Sequence, residues 1–200
     1  MLTTFMWLVL SFVSGALPFS VWVGRLALGA DIRRYGDHNP GASNVIRAGG
    51  WQWGALALLL DSFKGAIPVG LAHFSGRLEG WPLAAVALAP VLGHAYSPFL
   101  GFRGGKAVAV TFGIWTGLTL SEAPLVLGLL LGLWFAVVAV SGWAVLLTML
   151  GLLIYLLIFH PDPVLLTVWV GNTLLLAWKH RDELVQPPGL RPWLKKRLAR

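Results

Sequence analysis

The 200-residue chain has no cysteine, which excludes disulfide staples and thiolate nucleophiles. Charge is scarce. Lys, Arg, Asp and Glu make up 12% of the residues, against roughly 25% in ordinary soluble domains. Acidic residues are scarcer still, 8 against 15 Lys and Arg. With 57% hydrophobic residues, the chain has too little polar surface to cover itself in water, and the composition implies a bilayer as solvent. Zinc-type chemistry is missing too. There is no H-E-x-x-H and no clustered Cys/His/carboxylate set, so neither metal nor cofactor is expected. No G-x-S-x-G elbow is present. The N-terminal stretch "MLTTFMWLVLSFVSGALPF" lacks a basic n-region and reads as a first span that stays.

What is present is a series of apolar runs. A span needs about 20 mostly apolar residues, with a working range of about 17–25. Seven are expected, near 4–28, 51–72, 81–99, 106–121, 124–140, 143–159 and 162–179. The breaks "SEAP" at 121–124, "SG" at 141–142 and "HPDP" at 160–163 carry turn chemistry. The stretch 107–178 would also accommodate three longer spans. Basic residues decide between these counts. Arg33, Arg34 and Arg47 lie in the first connection, Arg103 and Lys106 in the third, and Lys179, Arg181, Arg191, Lys195, Lys196, Arg197 and Arg200 at or after the last span. Positive residues stay inside, and these clusters share one side only if four spans separate the last two. The expected fold is therefore an all-α integral membrane protein of about seven transmembrane helices. Its N-terminus is out, its C-terminus in, and its polar loops cytoplasmic. It is read as one membrane-embedded domain over 1–200, with 181–200 a basic tail. The net charge of +7 reads as attraction to anionic lipid rather than to nucleic acid. In the tail, Trp193, Leu194 and Leu198 among basic residues suggest an interfacial anchor. "GIWTG" (Gly113, Gly117) and "GLLLG" (Gly128, Gly132) are small-xxx-small packing pairs.

Three polar stretches fall on the expected cytoplasmic side: 31–50, "GHAYSPFLGFRGGKA" at 93–107 and "KHRDEL" at 179–184. Together they suggest a phosphate site. Gly-rich turns present backbone N–H groups to anions, and Arg and Lys are the usual phosphate cations. Gly41, Ser43 and Asn44 are candidate donors with Arg47 one turn beyond, and Gly104 and Gly105 precede Lys106 at a helix start. This is not a P-loop: Leu100 stands where the first Gly is required and Ala107 where Ser or Thr is. Each feature also has a structural reading. "RGGK" taken alone is as readily a loop with positive-inside residues, Asn39 and Asn44 suit turns, and His94 is read slightly in favour of buttressing a loop. His73 and His160 belong to the opposite face. Asp61 and Lys64 lie inside the second span, where ionisable groups are expensive. Their spacing of three suggests a structural ion pair first and a wall of the polar site second.

The motifs resemble those of the bacterial integral-membrane glycerol-3-phosphate acyltransferases that use acyl phosphate, the PlsY family. The resemblance runs through "SGALPF" at 14–19, "NPGASNVIRAGG" at 39–50, "DSFKG" at 61–65, the stretch 93–107 and "KHRDEL", and covers nearly the whole chain. The histidine–aspartate box of soluble-facing acyltransferases is absent. The resemblance implies seven spans with cytoplasmic motifs in the bacterial inner membrane. The implied reaction moves an acyl chain from acyl phosphate to the 1-hydroxyl of glycerol 3-phosphate, giving lysophosphatidic acid and phosphate, the first committed step of phospholipid synthesis. Motif by motif, it carries substrate and phosphate contacts to Asn39, Gly41, Ser43, Asn44 and Arg47, then to Gly104, Gly105 and Lys106, and a role to His180. Arg47 and Lys106 would stabilise the leaving phosphate, and His180 or a substrate phosphate would be the base. Two positions depart. The family usually reads Gly-Ser-Gly-Asn where this chain has Gly36-Asp37-His38-Asn39, and Asn where Glu183 stands. Both add negative charge where an anion should bind. They therefore suggest an alternative acceptor for the same chemistry, or a non-enzymatic anion-binding, lipid-binding or transport protein. Oligomeric state is not legible.

Overall fold

The computed structural model describes residues 1–198, and its described elements are helices with one isolated backbone pairing, Val138 with Leu190. Arg200 and the side chain of Leu198 lie outside what is described. The chain forms two compact units that divide after Leu118.

In the first unit, the first apolar run is two helices, α1 (Leu2–Ala16) and α2 (Phe19–Leu28). Pro18 has no N–H to donate and pushes Leu17 into extended backbone (φ −60°, ψ 124°), so the helix stops there. The interrupted ladder leaves carbonyls in an apolar setting, and side chains from elsewhere satisfy them. The Ser97 hydroxyl donates to the Ala16 carbonyl at 2.6 Å and the Lys64 ammonium to the Leu17 carbonyl at 2.7 Å. After the connection come α3 (Ala42–Gly49) and α4 (Trp51–Gly70), which runs on into a π-helical turn, Leu71–Ser75. The unit continues with α5 (Gly80–Ala95) and ends within α6 (Val108–Thr119). Helices approach closely at glycines. A Cβ at Gly15 of α1 would strike the Pro90 carbonyl of α5, and one at Gly93 the Phe12 carbonyl. The "GIWTG" pair is a seam of this kind: Gly113 lies against the Ser62 carbonyl, and a Cβ at Gly117 would stand 2.8 Å from the Gly70 nitrogen and 3.0 Å from the Ala66 oxygen. Gly132, in the other such pair, has nothing within 4 Å and is not part of a seam. It faces outward, where a packing pair has no partner to admit.

The second unit holds α7 (Glu122–Val137), α8 (Ser141–Phe159), α9 (Pro163–Lys179), the short α10 (Arg181–Leu184) and α11 (Pro192–Leu198). Leu130 of α7 fills the space that Gly151 of α8 leaves. Trp169 of α9 donates to the Met149 carbonyl at 2.7 Å. At the start of α7, Glu122 meets His160 at 2.7 Å, with the Tyr155 hydroxyl 3.3 Å from the same carboxylate. The tail, expected as an interfacial anchor, is hydrogen-bonded to the end of α7. Ala139 donates to the Gly189 carbonyl at 2.7 Å and the Arg191 N–H to Val137 at 2.9 Å. Arg191 Nε then donates to Phe135 and Val138, and Trp193 Nε1 to Ala136 at 2.9 Å. These bonds satisfy the carbonyls that every helix C-terminus leaves open.

Among the described residues, four helical segments are long and apolar enough to cross a membrane: Leu2–Leu28, Trp51–Ser75, Gly80–Leu100 and Ser141–Phe159. Three shorter apolar helices, α6, α7 and α9, fill the rest. The stretch 107–178 thus holds four helices, the tighter of the two expectations. The helix expected over 106–121 is the one that shrinks. Ala107 (φ +66°) and Leu120 (φ +56°) both take left-handed backbone, which an α-helix cannot continue through. At 1.5 Å per residue, α6 is about 18 Å long, against a hydrocarbon core of about 30 Å. Its middle is buried from Val110 to Leu118 except for single positions. At its start, non-helical backbone is tolerable because Ala107 is buried in protein.

Candidate active site

The loop after α2 is tied down by charge. Asp31 takes a bidentate pair of bonds from Arg33 at 2.9 and 2.7 Å, with Arg25 at 3.8 Å. The Arg33 hydrogen bond is the main cause that holds the Asp31 carboxyl well below the usual carboxylate range, against its own desolvation. Gly36 and His38 follow in left-handed backbone (φ +54° and +61°) and turn the chain so that Asp37 faces α3. Gly36 is needed twice over, for its φ and because a Cβ there would strike the Arg47 guanidinium and the Asn44 carbonyl oxygen.

Asn44 sits at the centre, 1% exposed. Its Nδ2 donates to Asp37 Oδ1 at 2.9 Å and to the Asn39 carbonyl at 2.8 Å, while its Oδ1 accepts from Arg47 Nη1 at 2.6 Å. Lys106 arrives from the Gly-rich motif and places its ammonium 2.5 Å from Asp37 Oδ2. Arg47 Nη1 is 3.7 Å from Asp37 Oδ1, and the Asn39 N–H 3.4 Å. Of the residues expected to grip phosphate, Asn39, Asn44, Arg47 and Lys106 therefore come together, around a carboxylate. Partial burial pushes the Asp37 carboxyl up. The Lys106 hydrogen bond and charge, then the Asn44 and Asn39 donors, outweigh that and hold it below its ordinary value. Ser43 is exposed on the first turn of α3, and Gly41 precedes it as the cap, too close to the Asn39 side chain to carry a Cβ.

The two glycines before Lys106 serve packing. The Gly105 N–H, expected as a phosphate donor, donates to the His94 carbonyl at 3.1 Å instead. A Cβ at Gly104 would strike that carbonyl and one at Gly105 the His94 ring. His94, 8% exposed, is thus the surface on which the motif lies. It also lines a narrow cleft, with room for about one water, together with Pro40, Lys64, Ser97 and Gly105. Asp61 and Lys64 form a buried pair at 2.6 Å with both side chains 2% exposed. The Ser20 hydroxyl donates to the other Asp61 oxygen, and the Ser14 hydroxyl to the Lys64 carbonyl at 2.8 Å. Reading the sequence missed Ser14, Ser20 and Ser97. The signal was there: Ser14 and Ser97 lie inside motifs that carry the resemblance, and all three stand within four residues of a proline.

In the second unit, His180 ends α9, 3% exposed, with Nδ1 at 2.8 Å from the Leu176 carbonyl. That bond makes Nδ1 the donor and leaves the lone pair on Nε2. Glu183 Oε2 accepts from the Ser141 hydroxyl at 2.6 Å and the Gly142 N–H at 2.7 Å. It caps the N-terminus of α8, where the helix dipole favours an anion. Among the described residues, no group of three His, Asp or Glu side chains could hold a metal ion.

The family model for glycerol-3-phosphate acyltransferases matches residues 5–186. The chain belongs to the glycerol-3-phosphate acyltransferase family. It is 38% identical over 194 residues to glycerol-3-phosphate acyltransferase 1 of Thermotoga maritima, covering 90% of this chain and 95% of the relative. It is 41% identical over 178 residues to the glycerol-3-phosphate acyltransferase of Rubrobacter xylanophilus, covering 87% and 86%. The glycerol 3-phosphate form of PlsY (YgiH), an integral membrane glycerol 3-phosphate acyltransferase, superposes with a TM-score of 0.83 at 28% identity over 96% of this chain and 97% of that one. The lysophosphatidic acid form gives 0.81 at 29%, over 90% and 89%. The two departures have local partners within the chain: Glu183 caps a helix N-terminus, and Asp37 is bonded to Lys106 with Arg47 3.7 Å away.

Proposed function

We propose that the chain transfers an acyl group from acyl phosphate to the 1-hydroxyl of glycerol 3-phosphate, at the cytoplasmic face of the bacterial inner membrane. The observation that carries this is the convergence of Arg47, Asn44 and Lys106 on one anion. Acyl phosphate is a mixed anhydride and already activated. The glycerol hydroxyl attacks its carbonyl carbon, a tetrahedral intermediate forms, and the bond to the phosphate oxygen breaks. The hydroxyl proton passes to a base and phosphate leaves. Arg47 and Lys106 bind phosphate and offset the charge that gathers on it as it departs. Holding the two reactants in line supplies roughly 7–11 kcal/mol of the barrier. His180 is a candidate base by its motif alone; its Nδ1 donates to the Leu176 carbonyl at 2.8 Å.

Seven spans with the N-terminus outside belong to the same proposal, drawn from four long and three shorter apolar helices and the distribution of Arg and Lys. The family match running from residue 5 to 186 supports one functional domain over both units. A different acceptor, suggested by Asp37 and Glu183, gains no support, because both carboxylates are engaged within the protein. The test is the purified protein in detergent with palmitoyl phosphate and labelled glycerol 3-phosphate. Lysophosphatidic acid forms, and Arg47→Ala and Lys106→Ala abolish it. Folded protein that forms none overturns the proposal.

A further inference from the structure

Asp37 holds the cations and amides expected to bind phosphate. Its carboxylate meets the Lys106 ammonium at 2.5 Å, the Asn44 amide at 2.9 Å, the Asn39 N–H at 3.4 Å and the Arg47 guanidinium at 3.7 Å. This donor set, two cations and two amides, is what a phosphate requires. The carboxylate is nonetheless able to leave. Its side chain is 42% exposed, and it hangs between two residues in left-handed backbone, Gly36 and His38. A half-exposed ion pair costs little to part, since water takes over both charges.

We propose that Asp37 is a built-in competing anion that makes the site select phosphate monoesters over the phosphodiesters of surrounding lipid. The inference rests on the acyltransferase reading above. A lipid phosphodiester carries one negative charge, as Asp37 does, and gains nothing by replacing a tethered group of equal charge. A phosphate monoester carries close to two charges near neutral pH, the second pKa of such phosphates being about 6, and three terminal oxygens, enough to take Lys106 and Arg47 away. A site at a membrane face is bathed in phosphodiesters, so discrimination by charge keeps it open to its substrates. With substrate absent, Asp37 also holds the two cations in place and spares them mutual repulsion.

The test measures glycerol 3-phosphate turnover in wild type and Asp37→Asn, with dimethyl phosphate as a soluble phosphodiester. In the variant, KM for glycerol 3-phosphate falls about two- to fivefold, the worth of a partly exposed ion pair. Dimethyl phosphate becomes a competitive inhibitor at concentrations that leave wild type unaffected. A KM that is unchanged or raised, or a diester that inhibits both proteins equally, overturns the inference. Asp37→Ser, the residue usual in the family, is the second variant should Asp37→Asn fail to fold. Equilibrium binding of inorganic phosphate, which needs no turnover, is measured alongside. If wild type forms no lysophosphatidic acid while Asp37→Asn binds phosphate more tightly, the acyltransferase reading fails and this one stands. Normal turnover with unaltered phosphate binding gives the reverse.

Discussion

Lys64 is the best place to test the fold physically. Its ammonium donates to Asp61 at 2.6 Å and to the Leu17 carbonyl at 2.7 Å, and both charged side chains are 2% exposed. Lys64→Met keeps the length of the side chain and removes the charge, which strands the Asp61 carboxylate. Removing one partner of a buried pair costs about 3–5 kcal/mol. Asp61→Leu combined with Lys64→Met removes both charges and leaves only the Leu17 carbonyl and the Ser20 hydroxyl without their partners. A buried unsatisfied neutral group costs about 1–3 kcal/mol. Both variants strand the Leu17 carbonyl, and the double variant exchanges the stranded carboxylate for the Ser20 hydroxyl, so it is less destabilised than Lys64→Met alone, although it changes more atoms. The assay is reversible unfolding in mixed micelles with a denaturing detergent, with acyl transfer followed on the same samples. A loss below about 1 kcal/mol for Lys64→Met, or a double variant at least as damaged as the single, refutes the reasoning. Wild-type stability with abolished turnover in Lys64→Met would assign the pair to substrate binding instead.

Gly36→Ala places a Cβ against Arg47 and Asn44 at φ +54°; it is expected to lower turnover more than tenfold while circular dichroism shows the helices intact. Glu183→Ala removes the acceptor for Ser141 and Gly142 at the α8 N-terminus and is expected to cost about 1–2 kcal/mol, with Glu183→Gln recovering part of it. Arg191→Ala removes the donor to the Phe135 and Val138 carbonyls; a loss of about 1 kcal/mol and faster proteolysis of the tail are expected. Asp31 and Asp37 both titrate lower in the fold than in the unfolded chain. Their contribution to stability is whole above pH about 4, the unfolded value, and fades as pH falls through the folded values. Acid titration of unfolding in Asp31→Asn should show a flatter limb below pH about 4 than wild type.

Much of this protein is legible in its residues. The apolar runs and their breaks follow from local chemistry. Pro18 stops the first helix, whereas Pro68 and Pro90 stand inside α4 and α5. The motif around Asn39–Arg47 reads as an anion cradle because its donors lie within one loop and one helical turn, so their convergence hardly depends on distant packing. The length of α6 was not legible, since left-handed backbone at Ala107 and Leu120 is imposed by surroundings and not by an alanine or a leucine. Nor was the use of Gly104 and Gly105, which depends on His94 arriving from α5.

The sequence by itself determined that the chain dissolves in a bilayer, that it is helical, and that its Arg, Lys, Asn and Gly gather in a few polar loops. Those properties are sums over composition and short-range spacing. Only the tertiary structure decided which charge neutralises which. Asp37 and Glu183 look alike as added acidic residues, yet one sits among cations at the cradle and the other caps α8. Coulomb energy and hydrogen bonding fall off over a few ångströms, and Asp37 lies 69 positions from Lys106 and Glu183 41 from Gly142. At such separations only the folded chain says whether two groups meet.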